Sequence, residues 1–374
     1  MPSSVNVLVT GGAGFIGSHL VDKLLADGCR VRILDSLDPQ VHDGPPAYLD
    51  AEAELVVADV RDHDAVARAL AGVDRVVHLA AAVGVGQSMY EIERYTSVNA
   101  IGASVVLEEV LGVRDSIEKV VVASSMSIYG EGLYRCPVDG VDVAPPPRPE
   151  KQLAAHDWEL HCPSCGASLE PRPTPETKPL QPTSVYAVGK RDHEELTLAV
   201  GRAYGIPATA LRFFNVYGTR QALSNPYTGV AAIFSSRLLN GRAPVVFEDG
   251  RQSRDFVHVA DVAEAVRAAL EPGAADDAAV NVATGRSMSV AEVAATLART
   301  LDVPIEAEIR NEFRAGDIRH CFGDPSLARR LLGWEAQVAF DDGMRELAGW
   351  LAGQTAVDRL DEATEALTRR GLAS

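Results

Sequence analysis

The sequence lacks any apolar run long enough to cross a membrane, and its first residues lead directly into a strand-like run with no signal-peptide pattern. Basic residues are few relative to acidic ones, 35 against 52, which gives a formal net charge of −17. A charge of that sign repels nucleic acid and anionic membranes, so we expect neither as a partner. The five cysteines, an odd number, argue against a disulfide framework, and we expect a cytoplasmic protein.

Apolar, β-branched runs alternate with helix-like stretches through the first half of the chain. The runs cover residues 5–10, 30–35, 54–59, 75–80, 119–125 and 208–216. Strands that are apolar on both faces and separated by helices are typical of a parallel sheet covered on both sides. The sequence therefore predicts an α/β fold with a Rossmann-type, doubly wound parallel sheet.

Two features divide the chain. Residues 131–182 are rich in proline and contain three of the five cysteines, so we expect an insertion with little regular secondary structure. After residue 215 the pattern changes to helices with short strands between them, and we expect the strand-like run at 279–284 to belong there. The resulting hypothesis is a Rossmann domain at 1–215, a smaller mixed α/β substrate-binding lobe at 216–352 and a helical tail at 353–374.

A glycine-rich turn follows the first strand and opens the first helix. In "GGAGFIG" the glycines Gly11, Gly14 and Gly17 enclose Phe15 and Ile16. Such a turn brings backbone N–H groups and a helix N-terminus against a pyrophosphate. Asp35 ends the second strand, where a carboxylate binds a ribose 2′-hydroxyl and repels a 2′-phosphate. The sequence therefore predicts a site for NAD rather than NADP.

Asp59 and Val60 end the third strand and are candidates for the adenine site. For Asp59, capping of the helix in "RDHDAVARAL" is the alternative interpretation.

A hydroxyl, a phenol and an ammonium group are predicted at the mouth of one cleft. Ser124 and Ser125 close the fifth strand, and "SVYAVGK" places Tyr186 and Lys190 four residues apart on one helical face. A free tyrosine titrates near 10, but a nearby lysine cation and a positive nicotinamide ring lower that pKa. We expect Tyr186 to take a proton from a sugar hydroxyl, Ser125 to hold that hydroxyl, and Lys190 to reach the nicotinamide ribose.

Together these motifs resemble the extended short-chain dehydrogenase/reductases that act on nucleotide sugars. The matching segments are "TGGAGFIG", "HLAAAVG", "NAIGA", "SSMSIYG", "YAVGK", "RFFNVYG", "RDFVHVADVAEAV" and "RAGDI", in the order of the family. The resemblance covers nearly the whole chain. It implies that Tyr186 and Lys190 are catalytic and makes a non-catalytic NAD-binding scaffold a poor alternative.

The resemblance also implies roles for individual residues. It makes Ser125 the catalytic hydroxyl and places Asn99, Ser124 and Leu79, Ala80 and Ala81 at the cofactor. It assigns the substrate diphosphate to Asn215, Arg254 and Arg314, with Asp317 beside it; surface ion pairing is the alternative for the arginines. Where the family often has a lysine near the cofactor phosphates, this chain has Val83.

The reaction type is indicated by the two residues after the catalytic hydroxyl. Nucleotide-sugar 4,6-dehydratases have an Asp-Glu pair there, whereas this chain has Met126 and Ser127. We therefore expect a 4-epimerase, with a dehydratase, decarboxylase or 4-keto reductase as alternatives. The stretch "RQALSNPYTGVAAIF" and the cysteine insertion resemble the subgroup that contains dTDP-L-rhamnose 4-epimerase, so a dTDP-hexose is the expected substrate.

The insertion resembles a small zinc ribbon. Cys162 and Cys165 have C-x-x-C spacing, and Cys136 is a third candidate ligand. Asp139, His161 and His156 are the alternatives for a fourth ligand. Structural zinc, reduced thiols and a redox pair all remain open interpretations.

The resemblance finally implies a homodimer formed through helices near 91–111 and 186–204. The apolar positions of the second helix fit such packing equally well against its own sheet.

Overall fold

A computed structural model describes residues 5–314 and 316–373, and its centre is a parallel sheet of seven strands. The strands are rich in valine, leucine and isoleucine and are largely buried, except for the edge strand Glu54–Val57. This architecture confirms the predicted α/β fold with a Rossmann-type sheet. In chain order the strands are Asn6–Thr10, Arg30–Asp35, Glu54–Val57, Arg75–His78, Lys119–Ser125, Ala208–Phe213 and Ala278–Val282.

The order of the strands in space creates a binding edge. Strand Asn6–Thr10 pairs with Arg30–Asp35 on one side and with Arg75–His78 on the other. The chain therefore winds outward in one direction and then returns to wind in the other. In open parallel sheets ligands bind at the carboxyl ends of the strands flanking such a reversal.

Helices cover both faces of the sheet. Phe15–Ala26 packs with Val259–Ala269 in one apolar cluster, and His63–Leu70 packs with Gly102–Gly112 in another. Helix Val185–Tyr204 lies against strand Lys119–Ser125. The remaining helices on this side are Val85–Ser88, Ile92–Thr96, the π-helix Ser97–Ile101, and the short 3₁₀ helices Arg114–Ser116 and Met126–Tyr129.

The second half of the chain contributes more to the central sheet than expected. Strand Ala278–Val282, which we assigned to the smaller lobe, pairs in parallel with Ala208–Phe213. Helix Val259–Ala269 likewise packs against the first helix of the sheet. Both segments are apolar, and nothing in their own sequence indicates which strand or helix they pack against. The expected boundary at residue 215 therefore does not separate the central sheet and its helices from the smaller lobe.

The rest of this half forms short sheets around a second apolar cluster. Its strands are Asn215–Tyr217, Val245–Val246, Ser253–Arg254, Phe256–His258, Met288–Ser289, Glu308–Ile309 and His320–Cys321. Its helices are Val230–Leu239, Val290–Thr300, Ser326–Leu332, Phe340–Leu351 and Leu360–Thr368.

The insertion has more regular structure than its proline content predicts. Strands Leu133–Arg135, Asp142–Val143 and Glu170–Arg172 form an antiparallel sheet, and Glu150–Ala154 is a short helix. Strands of two or three residues are too short to show an alternating pattern in the sequence.

Among the described residues, no helix combines the length and the apolar character needed to cross a membrane.

Candidate active site

A cleft of about 1740 Å³ brings the carboxyl edge of the sheet together with segments of the second half of the chain. Almost all of the predicted site residues line it, although they come from many separate elements. Asn99 and the three cysteines of the insertion are not among its lining residues. The predicted residues that do line it are Gly11, Gly14, Phe15, Ile16, Gly17, Asp35, Asp59, Val60, Leu79, Ala80, Ala81, Ser124, Ser125, Tyr186, Lys190, Asn215, Arg254, Arg314 and Asp317.

The glycine turn is packed so tightly that side chains are excluded. Gly11 has a φ of +71°, and a Cβ on it would lie 2.7 Å from the backbone nitrogen of Ala80. A Cβ on Gly17 would lie 2.2 Å from the carbonyl oxygen of Gly11. The helix beginning at Phe15 has no side-chain cap, so N–H groups of its first turn are available to a ligand. These features fit a pyrophosphate at the helix N-terminus.

Asp35 holds the turn and faces the same cleft. Its Oδ2 accepts a hydrogen bond of 3.0 Å from the Ala13 N–H, and its Oδ1 accepts one of 2.9 Å from the Leu37 N–H. Each carboxylate oxygen can accept a further bond, so the side chain can still bind a ribose hydroxyl. The buried carboxylate and the uncapped helix therefore fit the ribose and the pyrophosphate of a dinucleotide.

Two residues near this end were not predicted. Tyr48 donates a 2.9 Å hydrogen bond to the Ala13 carbonyl, and the Arg220 guanidinium lies 5.1 Å from the centre of the Tyr48 ring. Arg220 pairs with Asp22 at 2.8 Å, while its Nη1 is buried and has no hydrogen-bond partner in the part of the chain that the structure describes. Both residues line the cleft, and no motif marks them because they reach the turn from distant loops.

Asp59 is not the cap of the helix that follows it. That helix begins after Asp62, whose side chain accepts a 3.0 Å hydrogen bond from the Ala65 N–H. Asp59 is instead bound by the Arg61 guanidinium, and their hydrogen bond holds the pKa of Asp59 below its usual value. The helix-cap alternative for Asp59 is therefore wrong, and the residue lines the cleft beside Val60.

Asn99 acts on the cleft through another segment. It is fully buried within the π-helix, its Oδ1 accepts a 2.8 Å bond from the Ala82 N–H, and its Nδ2 donates to the Ala82 carbonyl at 3.1 Å. Both polar ends of its side chain are used on one residue. The structure thus gives Asn99 a positioning role, holding the loop that contains Leu79–Ala81, in place of the direct cofactor contact we expected.

The two adjacent serines differ in what they can offer a ligand. Ser124 is buried and its hydroxyl donates a 2.8 Å hydrogen bond to Glu194, which pairs with Arg212. The Ser125 hydroxyl accepts hydrogen bonds from Ser127, of 2.9 Å from its hydroxyl and 3.2 Å from its N–H, and also bonds to Tyr186. Only Ser125 therefore presents its hydroxyl beside the phenol.

Helix Val185–Tyr204 carries the phenol and the ammonium group. Ser184 caps it by accepting a 3.1 Å bond from the Ala187 N–H, and Gly205 ends it with a φ of +71°. Cap and stop fix the helix so that Tyr186 and Lys190 project from one face into the cleft.

The electrostatics of this pair differ from the sequence-based expectation. Burial raises the pKa of Tyr186 to about 12, and the hydrogen bond with Ser125 only partly opposes this. Burial also lowers the pKa of Lys190 to about 7. Lys190 donates a 3.1 Å bond to the Ala123 carbonyl and has no acidic partner among the described residues. Within the protein itself, therefore, Lys190 does not offset the effect of burial on Tyr186.

The predicted phosphate-binding residues also line the cleft. Asn215 has a buried Oδ1 that finds no hydrogen-bond partner within residues 5–314 and 316–373, as expected for an atom that contacts a ligand. Among the described residues, Arg254 donates only to backbone carbonyls, at 2.7 Å to Ile318, 2.8 Å to Ser253 and 3.0 Å to Arg319, so no carboxylate there compensates its charge. Arg314 pairs with Asp317 at 2.9 Å and lies over the Phe247 ring. The surface-ion-pair alternative therefore describes part of the Arg314 geometry but not Arg254.

Comparison with known proteins finds similar sequences along nearly the whole chain. Residues 7–156 match the sequence profile of the NAD dependent epimerase/dehydratase family, and residues 166–347 match that of GDP-mannose 4,6 dehydratase. A dTDP-L-rhamnose 4-epimerase of Burkholderia thailandensis is 36% identical over 352 residues, covering 92% of this chain and 94% of the relative.

Two solved structures of UDP-glucose 4-epimerases have a similar fold. UDP-glucose 4-epimerase from Thermotoga maritima with UDP-glucose has a TM-score of 0.75 at 30% identity, covering 93% of this chain and 99% of its own. UDP-glucose 4-epimerase from Thermus thermophilus in complex with NAD has a TM-score of 0.74 at 30% identity, covering 94% of this chain and 100% of its own.

Proposed function

The chain belongs to the NAD dependent epimerase/dehydratase family, and from that premise we propose that it is an isomerase, a nucleotide-sugar 4-epimerase. The observation that carries this proposal is the arrangement of Ser125, Tyr186 and Lys190 at one end of the cleft, with Met126 and Ser127 beside them. The first three residues are the groups needed to move a proton at a sugar hydroxyl. The next two provide no carboxylate.

We infer that the sheet edge holds NAD. Gly11, Gly14 and Gly17 would accommodate the pyrophosphate, Asp35 a ribose, and Asp59 with Val60 the adenine. Bound there, NAD would supply reversible hydride chemistry at C4 of the sugar, and inversion would require the keto sugar to turn over between the two transfers.

The reacting groups of the chain are assigned separate tasks. Tyr186 removes the proton from the C4 hydroxyl, and Ser125 holds that hydroxyl through a hydrogen bond. With a pKa of about 12, Tyr186 is protonated at neutral pH, and the positive nicotinamide ring of a bound cofactor would lower that pKa. Lys190, on the same helical face, is placed to hold a proton and stabilise the phenolate once the cleft is filled.

The neighbours of Ser125 favour epimerisation over water elimination. Elimination needs an acid and a base beside the sugar, whereas the Met126 thioether cannot exchange a proton and the Ser127 hydroxyl is bound to Ser125. The match to the dehydratase profile begins at residue 166, beyond this segment, and so does not argue for dehydratase chemistry.

We propose that the substrate is a dTDP-hexose such as dTDP-L-rhamnose. Asn215, Arg254 and Arg314, with Asp317, would hold its diphosphate, because two arginines provide several charge-assisted donors in one place. The similarity to the Burkholderia thailandensis enzyme supports this choice of sugar and base.

The proposal is tested by following the sugar ring with proton NMR. Purified protein is mixed with dTDP-L-rhamnose, and then with other dTDP- and UDP-hexoses, without added cofactor. We expect inversion at C4 with no net change in NADH, and a loss of rate of roughly 10²- to 10⁴-fold in Tyr186→Phe. Tyr204→Phe is the matched control, because Tyr204 is exposed at the far end of the same helix. Accumulation of a 4-keto sugar, or release of carbon dioxide, would exclude an epimerase.

We further infer a homodimer through the helices at 92–112 and 185–204. Ile101, Val188 and Leu196 are exposed apolar side chains on these helices, and a partner subunit would cover them. Light scattering should give twice the monomer mass for the wild type, and the monomer mass for Val188→Asp.

A further inference from the structure

The insertion contains two turns of the same design. "CPVDG" at 136–140 and "CPSCG" at 162–166 share cysteine, proline and glycine at equivalent positions. In the first turn the Gly140 N–H donates to the Cys136 carbonyl at 2.9 Å, and in the second the Gly166 N–H donates to the Cys162 carbonyl at 2.8 Å. Both glycines have positive φ, +68° and +75°. The two turns are therefore equivalent halves, with Asp139 in the position that Cys165 occupies in the second.

Folding brings the side chains of these turns together. One potential ligand atom from each of Cys136, Asp139, Cys162 and Cys165 lies within 4.8 Å of the other three. The Cys136 and Cys165 sulfurs are 3.5 Å apart, and the Cys136 sulfur is 3.6 Å from the Asp139 carboxylate. Two of the cysteines are buried and the other two residues reach the surface. Four such atoms around one point form a complete tetrahedral set.

The histidines of the insertion are engaged elsewhere. His161 Nε2 lies 2.8 Å from the Asp157 carboxylate, and the His156 ring stacks on Trp158 with ring centres 5.2 Å apart. Asp139 is therefore the fourth group of the cluster.

We propose that Cys136, Asp139, Cys162 and Cys165 bind one structural Zn²⁺ ion. Three sulfur ligands and one carboxylate suit zinc better than magnesium or calcium, which prefer oxygen ligands. The three thiols lose their protons on binding. Backbone N–H groups already point at the sulfurs, from Asp139 to Cys136 and from Ser164 and Cys165 to Cys162. Such donors stabilise thiolates in a metal site.

The function of this ion is to hold the insertion together. The apolar cluster of the insertion consists of Tyr134, Leu160 and Leu169 with two of the cysteines themselves, which is too little for an independent core. None of the four ligands lines the cleft, and the set leaves no ligand position open for a reaction.

The insertion in turn supports the segment that follows Asp317. The Gly132 N–H donates to the His320 carbonyl and the Thr174 N–H to the Phe322 carbonyl, both at 2.8 Å. Glu131 accepts a 2.8 Å bond from the Arg319 N–H. The metal would thus stabilise one wall of the cleft from outside it.

The first test is the zinc content of the full-length protein, purified without added metal and dialysed against chelator-free buffer. Mass spectrometry of the elements should give one zinc per chain, and Cys162→Ser should lose it. Cys29→Ala is the matched control, because it removes a buried cysteine outside the insertion and should retain the metal. Cobalt uptake by the metal-depleted wild type should give the absorption of a tetrahedral thiolate site, whether or not Cys162→Ser folds.

Further variants test the identity of the fourth ligand. Asp139→Ala should release zinc to a chelator faster than the wild type, and Asp139→Cys, which makes the two turns identical, should release it more slowly. His161→Gln should behave as the wild type. Loss of zinc in His161→Gln but not in Asp139→Ala would overturn the ligand set. The site itself would be overturned if the wild-type protein bound neither zinc nor cobalt. Its mass spectrum would then show either free thiols or a Cys136–Cys165 disulfide.

Discussion

Buried cations beside the insertion are paired with carboxylates, whereas the buried cation Lys190 in the cleft is not paired with one among the described residues. Next to the insertion, Arg319 is fully buried and is paired with Glu159 at 2.6 Å, Asp249 at 2.6 Å and Glu248 at 2.9 Å. In the cleft, Lys190 is almost as deeply buried, but its ammonium group contacts the Ala123 carbonyl and lies 3.5 Å from the neutral His193 ring. Burial of a cation without a carboxylate is costly.

The difference reflects what each cation is for. The charges of Arg319 and Arg148 are compensated by carboxylates of the protein, and these ion pairs fix the position of the insertion. The charge on Lys190 is uncompensated because its partners, in the proposed reaction, arrive with the ligands. Unfavourable electrostatics of this kind are typical of functional sites.

Replacing Lys190 should change both the activity and the stability of the protein, and the stability should increase. In the folded, NAD-depleted protein the pKa of Lys190 is lowered to about 7, against about 10.4 for an unfolded lysine. The folded state therefore binds this proton less tightly, and the cost is complete below about pH 7 and disappears as the pH approaches 10. We expect Lys190→Met to be more stable than the wild type by up to about 4 kcal/mol near pH 6, with activity lost. Urea unfolding between about pH 6 and pH 9 measures the difference.

Two histidines beside Lys190 must be separated from this effect. Burial lowers the pKa of His78 to about 3 and also lowers the pKa of His193. Both therefore destabilise the fold as the pH falls below their ordinary value. The charge of Lys190 contributes to both lowered pKa values, so Lys190→Met also relieves part of this cost, and the relief has the same sign as the effect of Lys190 itself. A stability difference between the two proteins that does not change between pH 6 and pH 9 would show that Lys190 is compensated.

Replacing a paired cation should have the opposite sign. Arg148 is bound to Glu248 at 2.7 Å and donates to the Trp158 carbonyl at 3.0 Å. Arg148→Met leaves buried carboxylates undercompensated and should reduce the free energy of unfolding by about 3–5 kcal/mol. Arg345→Met, which breaks an exposed pair with Asp342, is the control and should cost about 0–1 kcal/mol. A loss below about 1 kcal/mol in Arg148→Met would mean that the ion network does not stabilise the insertion.

Features that depend on neighbouring residues could be predicted from the sequence, whereas features that depend on distant residues could not. The parallel strands and the glycine turn could be predicted, because an apolar run or a glycine spacing is visible within a short stretch of sequence. The seventh strand at Ala278–Val282, the pairs of Arg148 and the approach of Arg220 to Tyr48 depend on contacts between distant residues. The hydrogen bonds between the Asn99 side chain and Ala82 likewise join residues 17 positions apart and are not visible in the sequence.

The smallest of the three effects concerns Ser124, which belongs to a compensated pair within the cleft region. Its hydroxyl donates to Glu194, and Glu194 holds Arg212, whose Nη1 also bonds to Tyr129 at 2.7 Å. Ser124→Ala should reduce the free energy of unfolding by about 1.5–3 kcal/mol, the usual contribution of a hydrogen bond to a charged group. Ser125→Ala removes a hydroxyl that bonds only to Ser127 and Tyr186 among the described residues, so its main effect should be on the rate. Urea unfolding and NMR rates of both variants distinguish these roles. If Ser125→Ala were the less stable variant and Ser124→Ala the slower one, the roles of the two serines would be reversed.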